Sequence, residues 1–327
     1  MEDLPEQQEH IEYLELRKVW KSIGLPLIKE ALQDWRTKYP VNIAVLDSGV
    51  DGNHQAFNSS NLYPQPKVIK SYVRVDGAWL AENNQTDASG HGTFCAGVAA
   101  GYYIPSPSKD DKIEELAQEY CNLPEFKFSD SSKKKIEDIF QCLSGGASEN
   151  LPFVGVAPFA NIISYKVDDD NNNLEEVLAA ALQDIAERNS TDSVEFKDRV
   201  HIVSMSLSAH YRDGVRRALY DVLNSDVIVV AAACNMGQRN NYCSGNIWFP
   251  ARFGNVISVG SHNNLGQPSK ISSVGREVDF LAPGEEIWGP STSSEIESKH
   301  IEKVKYTIYC KLPIISVDPT KIGSPTH

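Results

Sequence analysis

Short runs rich in valine and isoleucine recur along this 327-residue chain, and they are the feature that most constrains its fold. Several of the runs are apolar on both faces, as is typical of strands covered by helices on both sides. Amphipathic helical patterns lie between them, so strands alternate with helices. The predicted fold class is therefore α/β, a mainly parallel, doubly wound sheet with helices on both faces. The runs are VNIAVL (41–46), KVIKSYV (67–73), NIISYK (161–166), HIVSMS (201–206), VIVVAA (227–232) and NVISVG (255–260).

Three stretches predict the helices. Apolar residues from Leu174 to Ile185 follow the spacing of one helix face, and an asparagine directly before Leu174 is the predicted cap. Val215 to Leu223 shows a similar rhythm. Residues 94–101 are mostly small, which predicts a helix that packs very tightly against the core.

Composition limits the partners that we expect. The formal net charge is −13, and an acidic surface repels phosphate backbones, so nucleic-acid binding is not expected. No apolar run is long enough to cross a bilayer, so no membrane partner is expected either. The six cysteines form no CxxC pair, which favours reduced thiols. The acidic start MEDLPEQQEH does not resemble a secretory signal, so we expect a cytoplasmic protein if residue 1 is the true start.

Two segments stand apart from the alternating pattern. Residues 1–17 are polar and acidic, and we interpret them as an amino-terminal tail. Residues 102–150 contain prolines, polar amphipathic stretches and a lysine run, which together predict a surface insertion with one or two small helices.

Candidate catalytic side chains follow the predicted strands, where parallel sheets bind their ligands. Asp47 follows the first run, Asn235 follows VIVVAAAC, and His91 opens the small-residue stretch HGTFCAGVAAG. A buried aspartate can accept the Nδ1–H of a histidine and leave Nε2 free to take a proton. An asparagine amide can donate to an oxyanion that develops during acyl transfer.

Each of these residues also has a purely structural interpretation. An aspartate after a strand is often a turn or cap residue, and a histidine between glycines is often structural. Cys95 and Cys234 are predicted to be small buried apolar residues. The acidic stretch 168–170 is predicted to be a solvated turn before a helix, although such a loop can also hold a cation.

In combination the motifs resemble those of the subtilisin-like serine proteases. The series is VNIAVLDSGVDGNH, SGHGTFCAG, GVAP, SMSLS, VVAAACN, FPARFGNVISVGS and DFLAPG, in this order. The resemblance identifies residues 18–290 as a subtilisin-like peptidase domain that includes the insertion, and it implies a parallel sheet of about seven strands. The family uses the order Asp…His…Ser.

The resemblance implies a role for each matching residue. Asp47 corresponds to the orienting carboxylate, His91 to the general base and Asn235 to the oxyanion donor. The partner implied is a polypeptide bound in extended conformation, by main-chain hydrogen bonds, as an added strand. The residues implied to flank its side chain are Ser206, Leu207, Ser208, Ala232 and Ala233.

Two residues depart from the family pattern near this predicted substrate site. Cys234 stands where the family usually has glycine, and Ser208 stands where a glycine often lines the pocket. Both residues are larger than glycine and would narrow the predicted substrate pocket. Which substrate side chain the pocket prefers therefore stays open. The chemistry implied needs no cofactor, and whether the protein holds structural calcium also stays open.

The serine motif of the family, GTS-x-A-x-P, does not follow the APG sequence at 282–284. Ser291, Ser293 and Ser294 come too early and precede charged residues, and Ser324 has no helix behind it. We therefore expect residues 291–327 to be an atypical tail on a peptidase domain that stops before its serine. The carboxy-terminal helices of the fold would then be missing, and one face of the sheet would be partly uncovered.

Three other hypotheses remain open at this point. A catalytically inactive pseudoprotease could bind peptides or a protein partner without cutting them. A metal-dependent hydrolase could use Asp47, Asp51, His54 and His91, whose residue types suit a carboxylate and imidazole site. Nucleotide binding is the weakest, because no G-x-G-x-x-G follows the first strand.

Overall fold

The fold is taken from a computed structural model of the chain. The residues it describes are 40–54, 56–57, 66–82, 86–103, 153–157, 160–168, 173–192, 194–237, 247–263, 265–285, 287, 289–290 and 292. The predictions for the tail at 1–17, for most of the insertion at 102–150 and for the tail from 291 onward lie outside these residues, apart from Thr292.

The described residues form one eight-stranded sheet, in the order β10-β9-β8-β7-β1-β6-β2-β3, and a small two-stranded ladder of β4 and β5. Seven strands of the large sheet run parallel, and β3 at the edge is antiparallel to β2. The strands are β1 (Asn42–Asp47), β2 (Val68–Val75), β3 (Ala78–Ala81), β4 (Tyr102–Tyr103), β5 (Phe153–Val154), β6 (Asn161–Lys166), β7 (Ile202–Met205), β8 (Ile228–Ala232), β9 (Ile257–His262) and β10 (Phe280–Pro283). The predicted parallel, doubly wound α/β fold is confirmed.

Helices lie on both faces of this sheet. The three α-helices are α1 (His91–Ala100), α2 (Leu174–Asn189) and α3 (Asp213–Leu223), and a short 3-10 helix covers Phe196–Asp198. Helices α2 and α3 pack together over one face, where Leu178, Leu182 and Leu219 are buried with alternate residues of the central strands. Helix α1 packs on the other face against Ile43 and Val45 of β1. No described helix has the length and apolar character needed to cross a membrane.

The predicted cap of α2 is wrong in its detail. Asn173 does occupy the cap position, but its side chain makes no capping hydrogen bond to the helix backbone. Its amide Nδ2 instead donates to Oε2 of Glu176 at 2.7 Å. The acidic residues Glu175 and Glu176 in the first turn offset the positive end of the helix dipole instead.

The small ladder brings together the two ends of the predicted insertion. Tyr102 pairs with Val154 and Tyr103 with Phe153, in antiparallel register. Gly155 then lies so close to α1 that an added Cβ would come within 2.5 Å of the carbonyl oxygen of Gly97. The chain therefore leaves and rejoins the fold at one place, directly behind α1.

The face that holds α1 is unevenly covered in the described part of the chain. Ile43 and Val45 beneath α1 are buried. Ile228 of β8 and Phe280 of β10, which the strand registers place on the same face, expose 53% and 63% of their surface. Among the described residues, the half of this face over β8 to β10 has no helix upon it.

A partly buried hydrogen bond at the opposite, amino-terminal edge of the sheet ties β7 to β1. His201 precedes β7, and its Nδ1 accepts the backbone N–H of Asn42 at 3.0 Å. Its ring packs on Phe196 with centroids 4.4 Å apart. Burial lowers the pKa of His201, and the charge of Arg199 acts in the same direction. The contact requires neutral imidazole, because a protonated ring has no acceptor.

This arrangement predicts a pH-dependent contribution to stability. Because the folded pKa of His201 is depressed, the contribution is present above the ordinary histidine pKa of about 6.5 and is lost as the pH falls below it. In His201→Asn the amide oxygen can accept the same N–H without titrating. We expect urea unfolding to show wild type losing stability relative to His201→Asn as the pH falls from 7 to 5. A difference that does not change with pH would contradict this.

Candidate active site

Asp47 and His91 form a direct hydrogen bond at the carboxyl edge of the sheet. Asp47 is the last residue of β1 and is 4% exposed, and His91 is the first residue of α1. Their Oδ1 and Nδ1 atoms are 2.7 Å apart. An ionised carboxylate can only accept, so the bond fixes the proton on Nδ1 and leaves Nε2 as the basic nitrogen.

Backbone geometry explains why this bond can form. The Ser48 N–H donates to Oδ1 of Asp47 at 2.7 Å and holds the carboxylate in place. Gly90 adopts a φ of 74° directly before His91, a left-handed conformation that favours glycine. At Gly92 an added Cβ would come within 2.1 Å of the carbonyl oxygen of Gly49. Small residues in the motif therefore allow α1 to start in contact with the turn after β1.

Asp87 is a buried residue of this site that the sequence analysis missed. It is 3% exposed and accepts hydrogen bonds from Ser48, Gly90 and Thr93. The available signal was an aspartate three residues before the glycine at a helix start, which is close to the pattern of a helix cap. The pattern was weak because Asp87 lies outside the usual cap position, which Gly90 occupies.

Cys95 contacts the imidazole, which corrects its prediction as a buried apolar residue. It is half-buried, and its sulfur lies 3.9 Å from both ring nitrogens of His91. One helical turn separates the two residues, so their side chains share a face of α1. Cys234, by contrast, is buried as predicted.

The charge state of His91 follows from these neighbours. Burial disfavours the imidazolium, but the negative charge that the Cys95 sulfur can carry and the Asp47 carboxylate favour it. The result is that the pKa of His91 is raised above its ordinary value. These surroundings therefore favour the protonated form of the His91 ring.

The proposed metal site receives little support from this geometry. Among the described residues, the group that brings donor atoms within 4.8 Å of one another is Asp47, His91 and Cys95. Asp51 and His54 are not part of it, and Nδ1 of His54 accepts the N–H of Ala56. Nδ1 of His91 is bonded to Asp47, and Nε2 of His91 lies 3.9 Å from the Cys95 sulfur.

A second part of the site is a pocket at the carboxyl ends of β7 to β10. The cavity is about 190 Å³ and has a largely small-residue lining. Of the predicted substrate residues, Ser206, Ala232 and Ala233 line it, together with Asn235. Leu207 and Ser208 are buried and do not line this pocket.

The backbone at Cys234 shows why a glycine is expected there. Cys234 has a φ of 91°, in the left-handed region that side chains with a Cβ rarely adopt. Its carbonyl oxygen accepts the N–H of Ser273, so the surrounding structure holds the conformation in place. The strained residue lies directly before Asn235, at the edge of the pocket.

The chain segment after β10 returns to α1. An added Cβ at Gly97 would come within 2.1 Å of Pro290, and one at Gly289 would come within 2.5 Å of the Phe94 ring. Thr292 Oγ1 donates to the carbonyl oxygen of Asp87 at 2.8 Å. This segment therefore packs against the loop and helix that present His91.

An open parallel sheet with a buried Asp–His pair and a small pocket at its carboxyl edge is typical of α/β proteins that bind ligands at the ends of their strands. The model of the subtilase family, peptidase S8, matches residues 40–310. The chain belongs to this family.

Curated relatives agree with this assignment. The chain is 22% identical over 284 residues to subtilisin NAT of Bacillus subtilis subsp. natto, covering 84% of this chain and 56% of the relative. It is 24% identical over 312 residues to subtilisin DY of Bacillus licheniformis, covering 91% and 88%. For subtilisin NAT and subtilisin E, the chain spans little more than half of the relative's length, 56% in each case.

Solved structures agree on the fold alone. MycP1 with its amino-terminal propeptide removed matches with a TM-score of 0.52 at 21% identity, covering 87% of this chain and 73% of that one. The S41 psychrophilic protease matches with a TM-score of 0.51 at 22% identity, covering 77% and 68%.

The contact between Cys95 and His91 can be tested by NMR titration of the His91 ring. In Cys95→Val the electrostatic and hydrogen-bond contribution of the Cys95 sulfur to the ring is lost, so we expect the pKa of His91 to fall toward its ordinary value. Cys234→Ala removes the other described thiol and should leave the titration unchanged. If His91 has the same pKa in Cys95→Val as in wild type, then Cys95 does not contribute and Asp47 sets the charge state of the His91 ring.

The strain at Cys234 can be tested by comparing two substitutions. We expect Cys234→Gly to be more stable than Cys234→Ala by about 1 kcal/mol, because only glycine accepts this φ without penalty. At the neighbouring Ala233, substitution by glycine should instead cost roughly 0.5–1 kcal/mol. Thermal unfolding of wild type and the three variants measures both differences in stability. Equal stability of the two Cys234 variants would contradict the strain.

Proposed function

We propose that this chain carries the acid–base pair and the substrate pocket of a subtilisin-like serine endopeptidase. The observation that carries the proposal is the 2.7 Å hydrogen bond between the buried Asp47 carboxylate and His91 Nδ1. Peptide substrates are implied by membership of the family. An extended polypeptide bound along β7 and β8 would place a side chain in the pocket lined by Ser206, Ala232 and Ala233.

In the proposed mechanism His91 moves the proton. A serine Oγ attacks the peptide carbonyl carbon while Nε2 of His91 takes the hydroxyl proton, and Asp47 stabilises the imidazolium. The Asn235 amide donates to the oxyanion. The proton then passes to the leaving amine, the C–N bond breaks, and a water molecule hydrolyses the acyl-enzyme by the same route.

We further propose that the serine belongs to a segment absent from this chain. The sequence after Gly284 contains no GTS motif. Among the described residues, no helix covers Ile228 and Phe280 on the sheet face over β8 to β10, and this is the place where such a segment could pack. The two observations are independent, since one concerns a motif and the other concerns packing.

A pseudoprotease that binds peptides is the second candidate. The observation that favours it is a formed pocket next to Asn235 in a chain without the serine motif. The two candidates differ in their chemistry only, because both bind an extended peptide along the same strands.

The two candidates can be separated with fluorogenic peptides. We expect the chain as it stands to show turnover lower by about 10⁶ than a form that contains the serine segment, the loss reported for removing a subtilisin serine. If peptide cleavage fails in the serine-containing form, the endopeptidase proposal is wrong and peptide binding by the present chain becomes the function to measure.

In the serine-containing form, His91→Ala should abolish cleavage, and His201→Asn at the opposite edge of the sheet serves as the matched control. We expect the control to retain turnover, because His201 contacts Asn42 and Phe196 far along the strands from Asp47. Cleavage that survives His91→Ala would refute the role of His91 as general base.

A further inference from the structure

Two buried carboxylates lie on either side of one serine hydroxyl. The Ser48 Oγ atom is 3.2 Å from Oδ1 of Asp47 and 2.9 Å from Oδ1 of Asp87. The same Oγ accepts the N–H of Gly92 at 3.0 Å. A hydroxyl has a single proton, so it can donate fully to only one of the two carboxylates at a time.

Asp87 is held firmly enough to compete for that proton. Its Oδ2 accepts both the N–H and the hydroxyl of Thr93 at 2.8 Å, and its Oδ1 also accepts the N–H of Gly90 at 2.9 Å. By accepting these hydrogen bonds, Asp87 satisfies the N–H groups of Gly90 and Thr93 at the start of α1, where Gly90 supplies no side-chain cap. The positive end of the helix also favours the Asp87 charge.

Asp47 already has two strong donors at the oxygen in question. Its Oδ1 accepts the Ser48 N–H and the His91 Nδ1–H, each at 2.7 Å. A third donor on the same oxygen would share its electron density and weaken the bond to His91. The strength of the Asp47–His91 bond therefore depends on where the Ser48 hydroxyl proton points.

We propose that Asp87 is a positioning residue that holds the Ser48 hydroxyl away from Asp47 and so strengthens the Asp47–His91 hydrogen bond. Asp87 acts through Ser48, whose hydroxyl lies 2.9 Å from Oδ1 of Asp87. The consequence of this positioning for catalysis rests on the proposed function. The Asp47–His91 hydrogen bond itself is present in this chain. The effect can therefore be measured without any peptidase activity.

The test follows the low-field NMR resonance of the His91 Nδ1 proton in the full chain. In Asp87→Asn the neutral amide is a weaker acceptor, so the Ser48 hydroxyl turns to Asp47 and the resonance should move upfield. In Ser48→Ala no hydroxyl is present, and the same Asp87→Asn change should move the resonance little. An equal upfield shift in both backgrounds would mean that Asp87 only supports the helix, and would overturn the proposal.

A matched control separates this effect from general destabilisation. Asp184 of α2 is another partly buried carboxylate, which accepts from the hydroxyl of Tyr165 at 2.7 Å and from Nε of Arg188 at 2.6 Å. Asp184→Asn should lower the melting temperature and leave the His91 resonance unmoved. A resonance that moves as far in Asp184→Asn as in Asp87→Asn would count against the proposal.

A second measurement needs no variant and covers the case in which Asp87→Asn does not fold. Neutron diffraction from crystals of the deuterated chain locates the deuteron on Ser48 Oγ. We expect it on the line to Oδ1 of Asp87. A deuteron directed at Oδ1 of Asp47 would overturn the proposal whatever the peptidase assays show, and failure of those assays alone would leave this result unaffected.

Discussion

Burial of the Asp47 carboxylate is the constraint on which the rest of the site depends. A charge removed from water at the end of β1 is strongly destabilising unless donors and an opposite charge replace the lost hydration. The Ser48 N–H and the His91 ring supply both at 2.7 Å. To bring His91 that close, α1 must begin against the turn after β1, where Gly92 nearly touches Gly49. The glycine directly after His91 therefore follows from one buried charge.

The same requirement explains why α1 is held from several directions. Gly155 packs behind it, Pro290 packs against Gly97, and Thr292 binds the carbonyl of Asp87 in the preceding loop. These contacts come from segments far apart in the chain. Because packed interiors resist deformation, His91 is placed by rigid elements instead of a mobile loop. The geometry of the pair is thus a property of the whole described fold.

The sequence was sufficient for the central strands, for α2 and α3, and for the meeting of Asp47 with His91, because each depends on local periodicity or on a strand end. The sequence was insufficient where a residue's role depends on contacts with residues that are distant in the chain. The cap-like pattern at Asp87 is weak, and its place in the site becomes clear only from its bonds to Ser48 and Thr93. Cys95 was predicted to be apolar, and only the structure shows that its sulfur contacts the His91 ring. The edge strands β3 and β10 are partly exposed and lack the apolar runs that marked the others.

Preservation of Asp47 and His91 is by itself a weak argument for catalysis. An imidazolium beside Asp47 neutralises a buried carboxylate, and removing one partner of such a pair is strongly destabilising whether or not the protein cuts peptides. The structural role uses the protonated ring, and the raised pKa of His91 favours that form. The catalytic role uses the neutral ring. Asn235 is a separate observation, because it lies at the edge of the pocket, where an amide could donate to an oxyanion as the proposed function requires.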